Sequence, residues 1–292
     1  MSFTIVTDTA ANLPASILNE YNMTAIPFSA MFNGEEYPYT TPDNFDGHSY
    51  YEALRNGAVV TTSQVNPDRY IEYLTPILQR GEDVLFVGVS SGVSGSFSSA
   101  QLACKLLLQE FPDRTIRLVD SLSAALGEGL LVLEAALCRQ KEMTLEKTAE
   151  HLEKIRTRIY HLFTVDDLKH LRRSGRISHI TAAVGTVLGI KPLLKGSDEG
   201  KIVPCDKVRG RRRVLQAMAE KYAALVHNAH EHLVGISHAD CPEEAETLAR
   251  LIREKCPPLE VILTRHEPAT GAHIGPGALA LFFFGEDGVR NA

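Results

Sequence analysis

The sequence predicts an α/β protein of two domains, with a mostly parallel sheet in the first half and a mixed sheet in the second. Three observations carry that expectation. The 292 residues amount to roughly two domains of ordinary length. Short apolar runs alternate with helical patterns through 1–157, as β-α-β units do. Through 158–292 the alternation loosens, which favours strands of both directions over a second doubly wound sheet. The division is placed near residue 157, giving an N-terminal α/β domain over 1–157 and a C-terminal mixed-sheet α/β domain over 158–292.

Element by element, Phe3–Thr7 is a β-rich run ending at Asp8, and Asn12 and Pro14 then mark a helix start. Thr24–Phe28 reads as a second strand, and Met31–Tyr37 brackets the hairpin pair Asn33-Gly34. Val84–Val89 is a continuous apolar strand of the kind buried on both faces. A Gly- and Ser-rich stretch, Ser90–Ser96, separates it from a helical pattern over 98–111. Ile116–Val119 and Gly127–Cys138 continue the alternation as strand and helix. In the second half, Arg158–Thr164, Ile202–Asp206, Leu233–Ser237 and Glu260–Leu263 read as strands. Arg211–His227 and Pro242–Lys255 read as helices.

Composition narrows the function. The net charge is −6, which argues against a general nucleic-acid binder. Residues 1–157 hold 20 acidic and 11 basic side chains, a net −9, whereas 158–292 hold 16 and 19, a net +3. Five cysteines without a C-x-x-C pair fit neither a disulfide framework nor a Cys-rich zinc site. No secretory leader pattern opens the chain and no run of 18 apolar residues occurs, so a cytoplasmic protein without stable membrane insertion is expected.

The densest signal is Gly88-Val89-Ser90-Ser91-Gly92-Val93-Ser94-Gly95-Ser96, after a buried strand and before a helix. Ligands of open α/β sheets bind at that end of the strands. Glycines admit close backbone approach, hydroxyls donate, and free N–H groups at a helix start favour an oxyanion. Thr61-Thr62-Ser63-Gln64 is a second hydroxyl cluster, which ahead of Pro67 fits a helix cap or a ligand contact. Asp8-Thr9 carries the same two readings. Gly88-Val89-Ser90-Ser91-Gly92 also matches the G-x-S-x-G elbow of serine hydrolases, with Asp120 and His273 in the right order. Small and apolar residues delay the helix there, which weakens the match. No P-loop, no dinucleotide fingerprint after the first strand and no H-E-x-x-H are present, so metal catalysis has no support. His273 lies in a glycine-rich stretch, 271–277, expected to be a turn. Arginines cluster at 172–176 and 209–213, a candidate docking face for an acidic partner.

Several of these segments, in order, resemble the DegV family of bacterial fatty-acid-binding proteins. They are Val6-Thr7-Asp8-Thr9, Thr61-Thr62-Ser63-Gln64, Ser90–Ser96, Val119-Asp120-Ser121, Leu168–Ser178, Ile190-Lys191-Pro192, Lys207-Val208-Arg209-Gly210 and His273–Gly277. One departure is Val65-Asn66-Pro67, where the family usually places its proline directly after Thr-Ser-Gln. The resemblance implies one long-chain fatty acid held between the two domains, and no cofactor or metal. It implies a non-catalytic protein of phospholipid metabolism that presents the carboxylate to a separate ATP-dependent fatty-acid kinase for acyl-phosphate formation.

Carried over by motif position, Thr62 and Ser94 donate to the carboxylate, with Thr61 and Ser63 beside them. The Gly95 and Ser96 backbone assists, and His273 lies near. Arg172, Arg209 and Arg212 are the docking residues expected to meet the kinase. A tail of about fourteen methylenes contributes ~11 kcal/mol gross on burial, before the cost of immobilisation. Phe282-Phe283-Phe284, Val187 and Leu188 are candidates for the tunnel wall. A serine esterase using Ser90 and a lipid-sensing regulator without a kinase partner are the alternatives.

Overall fold

The computed structural model describes residues 3–32, 34–37, 39, 41, 43, 45–177 and 189–292. Val187, Leu188 and Asn33 lie outside the described residues. The first half runs β1 (Phe3–Asp8), α1 (Ala15–Glu20), β2 (Met23–Ile26), β3 (Ser29–Phe32), β4 (Glu35–Glu36), α2 (Gly47–Arg55) and β5 (Val60–Ser63). It continues with α3 (Pro67–Gln79), β6 (Asp83–Gly88), α4 (Ser96–Glu110), β7 (Ile116–Asp120), α5 (Leu126–Gln140) and α6 (Leu145–Ile155). The second half holds β8 (Ile159–Thr164), α7 (Lys169–Arg173), β9 (Ile190–Gly196), β10 (Ile202–Arg209) and α8 (Arg211–Leu225). β11 (Leu233–His238), α9 (Pro242–Lys255), β12 (Glu260–Arg265), α10 (Pro268–Ile274) and β13 (Leu279–Phe284) complete it.

β2, β1, β6 and β7 form a four-stranded sheet in that order, every pair parallel. The continuous apolar run of β6 is explained by its covering on both faces. Tyr70, Leu74 and Ile77 of α3 and Ala100 and Leu107 of α4 close one side. Helix α5 closes the other, and it is apolar on nearly all sides because it packs between two sheets. Its second neighbour is the six-stranded sheet β10-β9-β8-β13-β11-β12, in which only β11 and β12 pair in parallel. The mixed sheet expected for the second half is therefore present. The turn Arg156–Arg158, between α6 and β8, separates the strands of one large sheet from those of the other.

A third sheet, β4-β3-β5, is antiparallel; its β3–β4 pair is the hairpin expected over Met31–Tyr37, whereas β5 is not legible as a strand. Its strand β5 is the segment Val60-Thr61-Thr62-Ser63, which reads locally as a helix cap. The cap of α3 is instead Asn66, whose side chain accepts from Arg69 N, with Pro67 in the first turn. Two β-branched threonines suit a strand once Ala30 and Met31 lie opposite them. His273 likewise sits in the last turn of α10, not in an irregular glycine turn.

Candidate functional site

The site is assembled from the loop after β1 outward. Asp8 is buried; its carboxylate accepts from Ala10 N and from Val89 N, so it caps the turn after β1 and fixes the start of the loop after β6. Asn12, in left-handed backbone (φ 58), reaches across to the other sheet. Its amide nitrogen donates to Thr264 Oγ1 and Arg265 O, and its amide oxygen accepts from Glu267 N. Glu267 in turn caps α10 through Ala269 N and Thr270 N. Helix α10 is thereby aimed at β5, and His273 Nε2 meets Thr62 Oγ1 at 2.8 Å.

Beyond His273 the chain must turn sharply. Gly275 and Gly277 both have positive φ, and a Cβ at either would strike His170 or Asp166. Those contacts seat the segment around α7 against α10. They bring in Arg176, whose Nε donates to Val93 O at 3.2 Å. Ser94 follows Val93, and its hydroxyl lies 2.9 Å from Ser96 Oγ, which accepts from Val65 N. Four elements distant in sequence thus place Thr62, Ser94, Arg176 and His273 on the wall of one cavity.

That cavity offers about 140 Å³ to the centre of a water-sized sphere, roughly ten times what one water needs. Its wall is largely apolar, with Phe28, Val89, Phe163, Leu171, Leu279 and Phe282 among its residues. It reaches the surface beside the exposed residues Ser63, Gln64 and Lys201. Burial, aided by Arg176 and Arg173, lowers the His273 pKa to about 4. At neutral pH the head end therefore holds two hydroxyls, a neutral imidazole and a guanidinium, a set that favours one anionic group.

Of the residues singled out by sequence, Thr62, Ser63, Ser94 and His273 line the cavity. Thr61 is exposed and lies off the wall. Gly95 is also off the wall; a Cβ there would collide with Gln64, so its role is close packing of the two loops. Ser96 is buried behind Ser94 and positions it. Of the three phenylalanines, Phe282 lines the cavity, while Phe283 packs in the core beneath α8 and Phe284 packs in the α5 core. Arg176, His161, Ser123 and His266 also reach the wall. Only Arg176 had a sequence signal, its place in a basic cluster.

The hydrolase arrangement is not assembled. Ser90 is buried with its hydroxyl donating to Gly200 O, Asp120 accepts from the backbone of Ser91 and Leu122, and His273 faces Thr62. Arg211 is half-buried, bonded to Glu244 and Gly277 O, and Asp166 ties it and Lys191 to the loop before α7. Arg172, Arg209 and Arg212 are exposed. No helix among the described residues is long and apolar enough to cross a membrane.

The fold is that of an α/β protein holding an apolar cavity with a polar, cationic end. The chain belongs to the DegV family: the family profile described as "Uncharacterised protein, DegV family" matches residues 2–286. A DegV domain-containing protein of Clostridium perfringens is 35% identical over 284 residues, covering 97% of this chain and 98% of its own. A solved DegV family protein of Thermus thermophilus, described by its fatty-acid binding, superposes with a TM-score of 0.86 at 26% identity, covering 98% of this chain and 100% of its own. DegV of Bacillus subtilis, described as a fatty acid binding protein, gives 0.82 at 28% identity with the same coverage.

Proposed function

We propose that this protein holds one long-chain fatty acid between its two domains, with the tail in the cavity and the carboxylate at Thr62, Ser94, Arg176 and His273. The observation that carries the reading is a mostly apolar wall on which the Thr62 and Ser94 hydroxyls, the Arg176 guanidinium and His273 come together. A carboxylate there gains charge-assisted hydrogen bonds, and each buried methylene contributes about 0.8 kcal/mol. The fatty-acid binding described for the Thermus and Bacillus relatives supports the same ligand class.

On this reading the protein is a carrier, and the chemistry belongs to a separate ATP-dependent kinase. A carboxylate oxygen attacks the γ-phosphorus of ATP, the bond to the bridging oxygen breaks, and ADP leaves behind an acyl-phosphate. The exposed Arg172, Arg209 and Arg212 supply a basic face for that enzyme beside the head end. Protein purified from a bacterial host is expected to release one equivalent of fatty acid on denaturation, read by mass spectrometry. Preparations that neither carry nor take up an acyl chain overturn the reading. With a cognate kinase and ATP, trapping by hydroxylamine should yield the acyl hydroxamate. Reversing Arg172, Arg209 and Arg212 to Glu should slow it at least about tenfold at unchanged lipid content. A loaded protein that no such kinase accepts removes the presentation role and leaves a lipid-sensing one.

A further inference from the structure

Two histidines in the cavity wall take no part in the head end. His161 stands on β8 opposite Phe282 of β13, one two-residue step beyond the Phe163–Ala280 pair, which also lines the cavity. That step is about 7 Å along the sheet. The ring fits because glycines flank it: a Cβ on Gly196 would lie 2.5 Å from Nδ1, and one on Gly127 3.0 Å from Nε2.

Its protonation follows from its neighbours. Nε2 lies 2.8 Å from Ser123 Oγ and 3.2 Å from Arg290 Nη2. A guanidinium only donates, so Nε2 accepts and the ring proton sits on Nδ1. Burial and the Arg290 charge hold the His161 pKa well below its ordinary value, so the ring is neutral. Among the described residues, no group accepts the Nδ1 proton.

The second ring is His266, which precedes α10, roughly 10 Å from His273 at the helix's far end. It is 2% exposed, and neither ring nitrogen has a partner. Burial, aided by His238, lowers its pKa to about 3, so it too is neutral. Buried polar groups without partners are rare and call for a ligand or ordered water. A plain hydrocarbon tail would leave both rings against methylenes.

We propose that the cavity is built for an oxygenated acyl chain, whose hydroxyl or keto oxygen, part-way along the tail, accepts from His161 Nδ1; His266, three strands and four residues away in the sheet register, lies beyond reach of that oxygen. This rests on the fatty-acid reading above and names the substrate class within it. The selectivity comes from the unpaired donor left behind when the oxygen is missing, a penalty that separates analogues better than a methylene does.

The test is competition against a fluorescent fatty acid bound to the delipidated full chain. The competitors are stearic acid and hydroxystearic acids with the hydroxyl at successive positions. One narrow range of positions should bind about tenfold tighter than stearic acid. His161→Leu should erase that ratio, and His266→Leu should leave it. The wild-type ranking decides without any variant. If every hydroxystearic acid binds more weakly than stearic acid, water is the partner of these rings and the proposal is overturned. A preference that survives His161→Leu overturns the assignment to that histidine. If stearic and hydroxystearic acids all fail to bind, the fatty-acid reading falls and this one with it.

Discussion

Two polar clusters border the cavity, and electrostatically they are opposites. At the rim stand Arg176, a neutral His273 and the hydroxyls of Thr62 and Ser94. On the inner side, Asp8, Glu128 and Glu267 are buried carboxyls, of which Glu267 reaches the cavity wall. Burial raises the pKa of all three; the Glu267 charge raises Asp8 further, to about 7, and Asp8 and Glu267 raise Glu128 further. Asp8 and Glu267 serve backbone N–H groups, while Glu128 accepts from Thr7 Oγ1. The acidic cluster is thus committed to holding the fold, and the rim is left for a guest.

The sharpest way to break this contrast is to make the rim acidic. Arg176→Glu places a carboxylate beside Ser94 and should weaken fatty-acid binding at least about a hundredfold, because it replaces a charge-assisted donor by a like charge. Displacement of a fluorescent fatty acid checks it, and affinity within threefold of wild type would move the head group elsewhere. Next in size is Thr62→Ala combined with Ser94→Ala, expected to cost roughly ten- to a hundredfold in the same assay. The fold should persist, since both side chains are partly exposed.

The inner cluster is probed by Glu128→Gln, which keeps an acceptor for Thr7. A carboxyl whose folded pKa is raised contributes stability below its unfolded value of 4.5 and loses it as pH rises. The variant should therefore melt above wild type by roughly 2–4 °C at pH 8, with a smaller gap at pH 5. A gap that grows toward acid would reverse the assignment. The smallest effect belongs to His273. Its folded pKa, lowered to about 4, means that stability from its neutral form is present above 6.5 and is lost as pH falls toward 4. His273→Gln should flatten the acid side of a melting-temperature profile and leave pH 8 nearly unchanged. Head-group affinity should not climb between pH 7 and pH 5, as it would if an imidazolium formed there.

Much of this was legible in the residues. The apolar run of β6 announced a sheet covered on both faces. The serine- and glycine-rich loop after β6 announced a ligand, because backbone without side chains follows a strand end. Thr61–Gln64 was harder, since hydroxyls before a helix look alike whether they cap it or lie in a strand. Arg211 looked like its neighbours in the basic run, yet it turns inward to Glu244 and Gly277. Nothing local marked Ser123, His161, His266 or Arg290.

The sequence by itself determined the α/β class, the two sheet types and the small-residue loop. These follow from periodicity and backbone chemistry within a few residues, where strand and helix patterns differ in spacing. The tertiary structure alone decided which polar groups meet. Thr62 finds His273 across 211 positions of chain, and His161 finds Arg290 across 129. A local pattern encodes which face of an element is apolar, but the element that covers that face is chosen by packing of the whole chain.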